Sequence, residues 1–178
     1  MEQVVEFIGL ALRYSFSLAL SVGVLGAILY PILQMHLAMW RKAAGPYAGA
    51  FERSGNPSKL AGAAAIAERG IRWGMSTNQR QRVYPPVHVT VLPTGIGLQI
   101  MHPFRYGSKP LILPFSEMEL ASTKWALWGD PVAIRMKQLD GIDIILYREI
   151  MEWAAEQSPS IAAMMVKANP ALNRPVIS

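Results

Sequence analysis

No Asp, Glu, Lys or Arg occurs between Tyr14 and Trp40, a run of 27 residues centred on SFSLALSVGVLGAILY. A charge-free apolar stretch of this length must be removed from water. An α-helix of about 20 such residues matches a hydrocarbon thickness of roughly 30 Å. The whole chain is 52% hydrophobic with a mean hydropathy of +0.23, which agrees with part of it lying in lipid. A secretory signal is the rival reading. It fits poorly, because Glu2 and Glu6 precede the run, no Lys or Arg occurs before Arg13, and the run exceeds an h-region of about 7–15 residues. The expectation is an uncleaved transmembrane helix over 14–40 behind an N-terminal tail of 1–13. Its regular part ends near Pro31, and its interfacial end carries Gln34, His36 and Trp40, with Trp40 at headgroup level. Arg13 either snorkels to the opposite interface or pairs with an acidic group.

Charge is unevenly placed along the 178 residues. Residues 1–40 carry a net of −1, residues 41–109 a net of +8 and residues 110–178 a net of −2, giving the +5 total. Arg41, Lys42, Arg53 and Lys59 closely follow the run, so the positive-inside rule places the C-terminal bulk in the cytoplasm and the N-terminus outside. Residues 41–82 read as a basic juxtamembrane connector. AAGPYAGAFERSGNPSK has loop composition, and KLAGAAAIAERGIRW, from Lys59 to Trp73, has that of a short helix. Its cations either contact anionic lipid, at about 1 kcal/mol per basic residue near the surface, or serve only as the topology signal. The candidate lipid contacts are Arg41, Lys42, Arg69, Arg72, Arg80, Arg82, Arg105 and Lys109. Ser15, Ala19, Gly23 and Ala27 recur every four residues and form a small-residue stripe suited to helix–helix packing in lipid, by self-association or with another membrane protein.

From Val83 to Gln157 the pattern is that of a folded module. VHVTV (87–91) alternates Val87, Val89 and Val91 against His88 and Thr90. After the turn Pro93-Thr94-Gly95, IGLQIM puts Ile96, Leu98 and Ile100 on one face, and after RYGSK (105–109) KPLILPF does the same with Leu111, Leu113 and Phe115. PVAIRMKQ (131–138) and IDIILY (142–147) flank Asp140-Gly141, a hairpin signal. REIMEWAAEQ is then an amphipathic helix with Ile150, Trp153 and Ala154 on one side, stopped by Ser158-Pro159-Ser160. Residues 158–178 complete the chain as a short helix and a polar tail.

The succession GIGLQIM, polar turn, LILPFSEMEL, VAIRMKQLDGIDIILY and one amphipathic helix resembles the bacterial pleckstrin-homology-like domains. More narrowly it resembles a group of bacterial proteins with one N-terminal membrane helix. There a GLxL strand leads through a PFRxG turn into an IPWSEI strand, matched here by Gly97-Leu98, by Pro103 to Gly107 and by Leu113 to Met118, with Phe115 in place of the Trp. The resemblance implies an α+β architecture: an N-terminal transmembrane helix, a small antiparallel β-roll or barrel and a C-terminal amphipathic helix that plugs it, a role suited to Trp153. About six strands are visible where such domains have seven, so one is irregular or comes from upstream near Trp73. It also implies a bacterial inner (cytoplasmic) or intracytoplasmic membrane, and no established reaction.

The chemistry-bearing residues point away from catalysis. The chain has no cysteine, which excludes disulfides, thiolate metal sites and Cys nucleophiles, and only three scattered histidines. Ser116, His102 and Glu117 could be imagined as a hydrolase triad, but there is no G-x-S-x-G elbow, and adjacent strand positions point to opposite faces. The Gly95–Gly97 GIG lacks the remainder of a phosphate loop. Trp125, Trp128 and Trp153 read as packing residues. The expectation is therefore a non-catalytic, membrane-anchored accessory or scaffold protein without cofactor. It associates with a membrane complex through its helix and module, contacts membrane lipid and binds no nucleic acid. An anionic-lipid-binding module is the alternative, and a membrane-tethered enzyme the third reading.

Overall fold

The computed structural model describes residues 14–27, 37–70, 80–84, 86–102, 104–105, 107–123, 125 and 130–168. The chain divides into two units, one ending at His36 and one beginning at Leu37. In the first, residues 14–27 are helical (α1) and every one of them is exposed.

The second unit opens with α2 (Ala38–Tyr47), continues through nine described strands and closes with α3 (Arg148–Gln157) and α4 (Pro159–Ala168). The strands are β1 (Ser58–Ala61), β2 (Ala64–Glu68), β3 (Gln81–Tyr84), β4 (Val87–Leu92), β5 (Gly95–Ile100), β6 (Leu111–Pro114), β7 (Met118–Ser122), β8 (Pro131–Met136) and β9 (Ile142–Tyr147). They form a four-stranded sheet ordered β1-β4-β5-β6 and a five-stranded sheet ordered β3-β2-β9-β8-β7, with every pairing antiparallel.

The sheets share chain at two corners. β2 pairs β3 with Ala64 opposite Tyr84, and β1 pairs β4 with Ala61 opposite Val87. Both ladders keep the same register, so 58–68 and 81–90 are one long hairpin that passes from one sheet to the other between Ala61 and Ala64. The second corner is a single 3₁₀ turn, Phe115–Glu117, between β6 and β7.

Alternation sets the apolar face of the smaller sheet. Val89, Leu98 and Leu111 lie side by side across β4, β5 and β6, as do Val91, Ile96 and Leu113, and all six are buried. In the larger sheet, Ile66, Ile144, Ile134 and Leu120 make the corresponding row. On its opposite face, Ala65, Ala67 and Ile145 are covered by Trp125. The alanines leave room for the indole, whose Nε1–H donates to Gln81 Oε1 at 2.9 Å.

The expected architecture needs correction at several points. No helix among the described residues is long and apolar enough to cross a membrane. Residues 28–36 of the expected span, with Pro31, Gln34 and His36, lie outside the described residues, as do the tail 1–13 and Arg13. The end of the charge-free run has another fate. Leu37, Met39 and Trp40 are buried in the folded unit, and Trp40, expected at headgroup level, is 1% exposed. Hydropathy records that a segment avoids water. It does not record whether lipid or protein replaces the water.

The segment 41–82, read as a connector, contains most of α2, all of β1 and β2 and the first two residues of β3. The helix read into Lys59–Trp73 is two strands over its described part. β2 has Ala64, Ala65, Ile66 and Ala67 all buried, so no period-2 alternation marks it, and packing overrides the helix preference of alanine. The structure thus has nine described strands in two sheets in place of about six in a single roll. In α3 the buried residues are Ile150, Met151 and Ala154, while Trp153, expected as the plug, is half-buried.

Candidate functional site

Two groupings of polar side chains stand out on the folded unit. The first surrounds a cavity of about 310 Å³ lined by Arg69, Glu117, Arg135, Lys137 and Asp140 together with Met118, Glu119, Met136 and Leu139. The β8–β9 turn forms one wall, closed by Gly141 at φ 68° and by Arg69 N–H donating to Gly141 O at 2.7 Å. Arg135 lies directly opposite both Glu119 and Asp143 across the sheet. Asp143 is 5% exposed and sits between two guanidinium groups: Arg69 Nε donates to its Oδ1 at 3.2 Å, and Arg135 Nε is 3.6 Å from the same oxygen. At that distance Arg135 Nε contributes charge without a hydrogen bond, and it is buried with no hydrogen-bond partner.

Glu117 closes the other side. Tyr47 Oη–H donates to Glu117 Oε2 at 2.7 Å, and Gln138 Nε2 donates to both carboxylate oxygens at 3.2 and 2.9 Å. Gln138 N–H donates in turn to Tyr47 Oη at 3.0 Å. The Tyr47 and Gln138 hydrogen bonds hold the Glu117 carboxyl below its ordinary range. Burial first, and the bond to Glu117 second, push the Tyr47 phenol up. These contacts tie α2 to the 3₁₀ corner and the β8–β9 turn. The Tyr47, Glu117 and Gln138 groups of this network each bond to another part of the fold.

The second grouping lies where α2 begins beside the β5–β6 turn. Leu37 supplies no side-chain cap to α2. Instead Trp40 N–H donates to the Tyr84 hydroxyl at 2.7 Å, the two rings meet edge-on at 5.1 Å, and Trp40 Nε1–H donates to Lys109 O at 2.8 Å. Burial pushes the Tyr84 phenol well above its ordinary value. The turn itself is held by Ser108, whose N–H and Oγ–H both donate to Arg105 O, at 3.0 and 2.7 Å, and by Gly107 at φ 75°. A Cβ at Gly107 would stand 3.4 Å from Arg41 Nη2, which puts that guanidinium against the turn.

The eight sequence-named cations therefore separate. Arg41, Arg105 and Lys109 come together at this end, Lys42 follows Arg41 on α2, and all four are exposed. Arg69 pairs with Asp143, and Arg80 with Glu68 at 3.3 Å. Arg82 is half-buried on β3, and Arg72 lies outside the described residues. Ser15, Ala19, Gly23 and Ala27 are all exposed on α1, with open space around Gly23. Among the triad candidates, Ser116 and Glu117 share the 3₁₀ corner, and neither sits on a strand as the alternation argument had it. His102 belongs to the other end of the β5–β6 hairpin, seven positions beyond Gly95, which pairs with Pro114 beside the corner, so about 20 Å of strand separates them. Among the described residues no three His, Asp or Glu side chains gather as metal ligands. Sequence reading missed Tyr47, Tyr84, Gln138 and Asp143. Only the isolated acid of Asp143 within the apolar run IDIILY offered a signal.

Comparison with protein-family models, curated proteins and solved structures finds no match to the chain.

Proposed function

We propose that the chain is a non-catalytic accessory protein of a membrane complex, in which α1 supplies the association surface and residues 37–168 a folded body. The observation that carries this reading is α1 itself: fourteen consecutive helical residues, none charged and all exposed. A helix that is apolar on every side is stable only when something apolar surrounds it. Tyr14, Phe16, Leu18, Leu20, Val22, Val24 and Leu25 are each between 53% and 72% exposed. Full burial of such a side chain is worth about 1.5–3 kcal/mol, so covering the exposed part of these seven, somewhat over half of each, is worth on the order of 7–13 kcal/mol. The Ser15, Ala19, Gly23 and Ala27 stripe lets a partner backbone approach, because a Cβ added at Gly23 would meet nothing within 4 Å.

The non-catalytic part of the reading is supported by the cavity. Its Asp143 and Glu117 neighbours are spent on ion pairs and hydrogen bonds that join α2, β2, β8 and β9. Extraction of the full chain in gentle detergent is expected to yield a defined complex, and Gly23→Leu is expected to weaken it. Recovery of a lone monomer under several mild conditions contradicts the reading.

A further inference from the structure

We infer that the end of the folded unit made by the first turn of α2 and the β5–β6 turn docks on an anionic bilayer surface. Arg41, Lys42, Arg105 and Lys109 meet lipid phosphates there, and Phe104 enters the headgroup boundary. The inference deepens the membrane reading above and rests on it for the presence of a bilayer. Its own observations are separate. All four cations are exposed, and none takes part in an ion pair among the described residues. This sets them apart from Arg69, Arg80, Arg135 and Arg148, which are all paired.

The backbone brings Arg41, Arg105 and Lys109 to one place, and Lys42 follows Arg41 on α2. Trp40 Nε1–H donates to Lys109 O, the neighbouring Arg41 lies against Gly107, and Ser108 locks the carbonyl of Arg105. Phe104, on the same turn, is 49% exposed although it is a large apolar side chain. Unpaired cations and an exposed aromatic at one turn suit a surface that is anionic outside and apolar just beneath. An exposed turn matches a plane better than it encloses a small ligand, and the described cavity has other walls.

The test is partition of the full chain between buffer and vesicles, either wholly phosphatidylcholine or containing phosphatidylserine. Any binding through α1 appears with both vesicle types, because apolar burial is indifferent to headgroup charge. The inferred contact appears only as the excess on anionic vesicles, so the two readings fail separately. Each cation near the surface is worth about fivefold in partition, so Arg105→Gln with Lys109→Gln is expected to cut the excess on the order of 20–30-fold. Raising salt from about 0.1 M to 1 M shortens screening from about 10 Å to 3 Å and should abolish it. Arg80→Gln, at a paired site away from the patch, should leave the excess unchanged. Phe104→Ala should lower it without changing its salt dependence. Equal binding to both vesicle types, or an excess untouched by the double variant while its unfolding midpoint matches the parent, overturns the inference. Release from anionic vesicles by short duplex DNA at matched phosphate concentration also overturns it, in favour of a nucleic-acid partner.

Discussion

Replacing Tyr84 by Phe removes one oxygen atom and tests how α2 is held to the strands. The first N–H groups of a helix lack partners within it, and Leu37 supplies no side chain to cap them. The Trp40 N–H is satisfied by the Tyr84 hydroxyl at 2.7 Å, with Trp40 and Tyr84 each 1% exposed. In Tyr84→Phe the ring contact survives, but the N–H stays buried with no acceptor and no water to replace it. A buried donor left unsatisfied costs about 1–3 kcal/mol, more than the 0.5–1.5 kcal/mol net value of an ordinary hydrogen bond. For a unit near this size, about 2 kcal/mol corresponds to a fall of roughly 4–8 °C in Tm. Thermal unfolding followed by tryptophan fluorescence measures it, and hydrogen exchange should show the Trp40 amide losing protection ahead of the β4 and β5 amides. A Tm within about 1 °C of the parent, with Trp40 exchange unchanged, would refute the capping role.

Three further outcomes are expected. Asp143→Asn leaves Arg69 and Arg135 without their shared carboxylate; because both arginines are partly exposed, the cost is about 1–3 kcal/mol, read as a lower urea midpoint with an unchanged slope. Gly95→Ala drives a Cβ against the backbone carbonyl of Leu113, where neither strand can yield, so it should cost at least about 1–3 kcal/mol, whereas Gly23→Ala should leave the unfolding midpoint of the 37–168 unit unchanged. Glu117 has a folded pKa held below its unfolded value, so its contribution is present above the unfolded pKa and fades as pH falls through the folded one. In Glu117→Gln the loss of stability below about pH 4.5 should be shallower than in the parent, as measured by urea midpoints across pH 3–7.

Where a segment has one wet face and one dry face, its sequence already shows its structure. Val87, Val89 and Val91, then Ile96, Leu98 and Ile100, then Leu111 and Leu113 alternate as expected, and all are buried. Asp140-Gly141 marks the β8–β9 hairpin for a local reason, since Gly141 adopts φ 68°. Where both faces are dry the period disappears. β2 reads as helix because Ala64, Ala65, Ile66 and Ala67 are buried alike, and Trp40 reads as a membrane anchor because a core and a bilayer demand the same side chains. The polar groupings were hidden by separation along the chain: Tyr47 and Glu117 lie 70 positions apart, and Arg69 and Asp143 lie 74 apart. Charge counting found the eight cations. Only the fold divides Arg41, Lys42, Arg105 and Lys109 from those that have acidic partners.

If α1 joins this chain to a membrane complex while residues 37–168 fold as the body it carries, charging α1 should release the complex and leave the body folded. Leu20→Lys with Val24→Lys places two charges on α1, where every described residue is exposed. The deciding measurement is the mass of the particle extracted in mild detergent, for the parent and for this variant. The expected result is a defined complex for the parent, its loss in the variant, and the same unfolding midpoint for both. A parent that runs as a lone monomer, or a variant whose complex is intact, would contradict it.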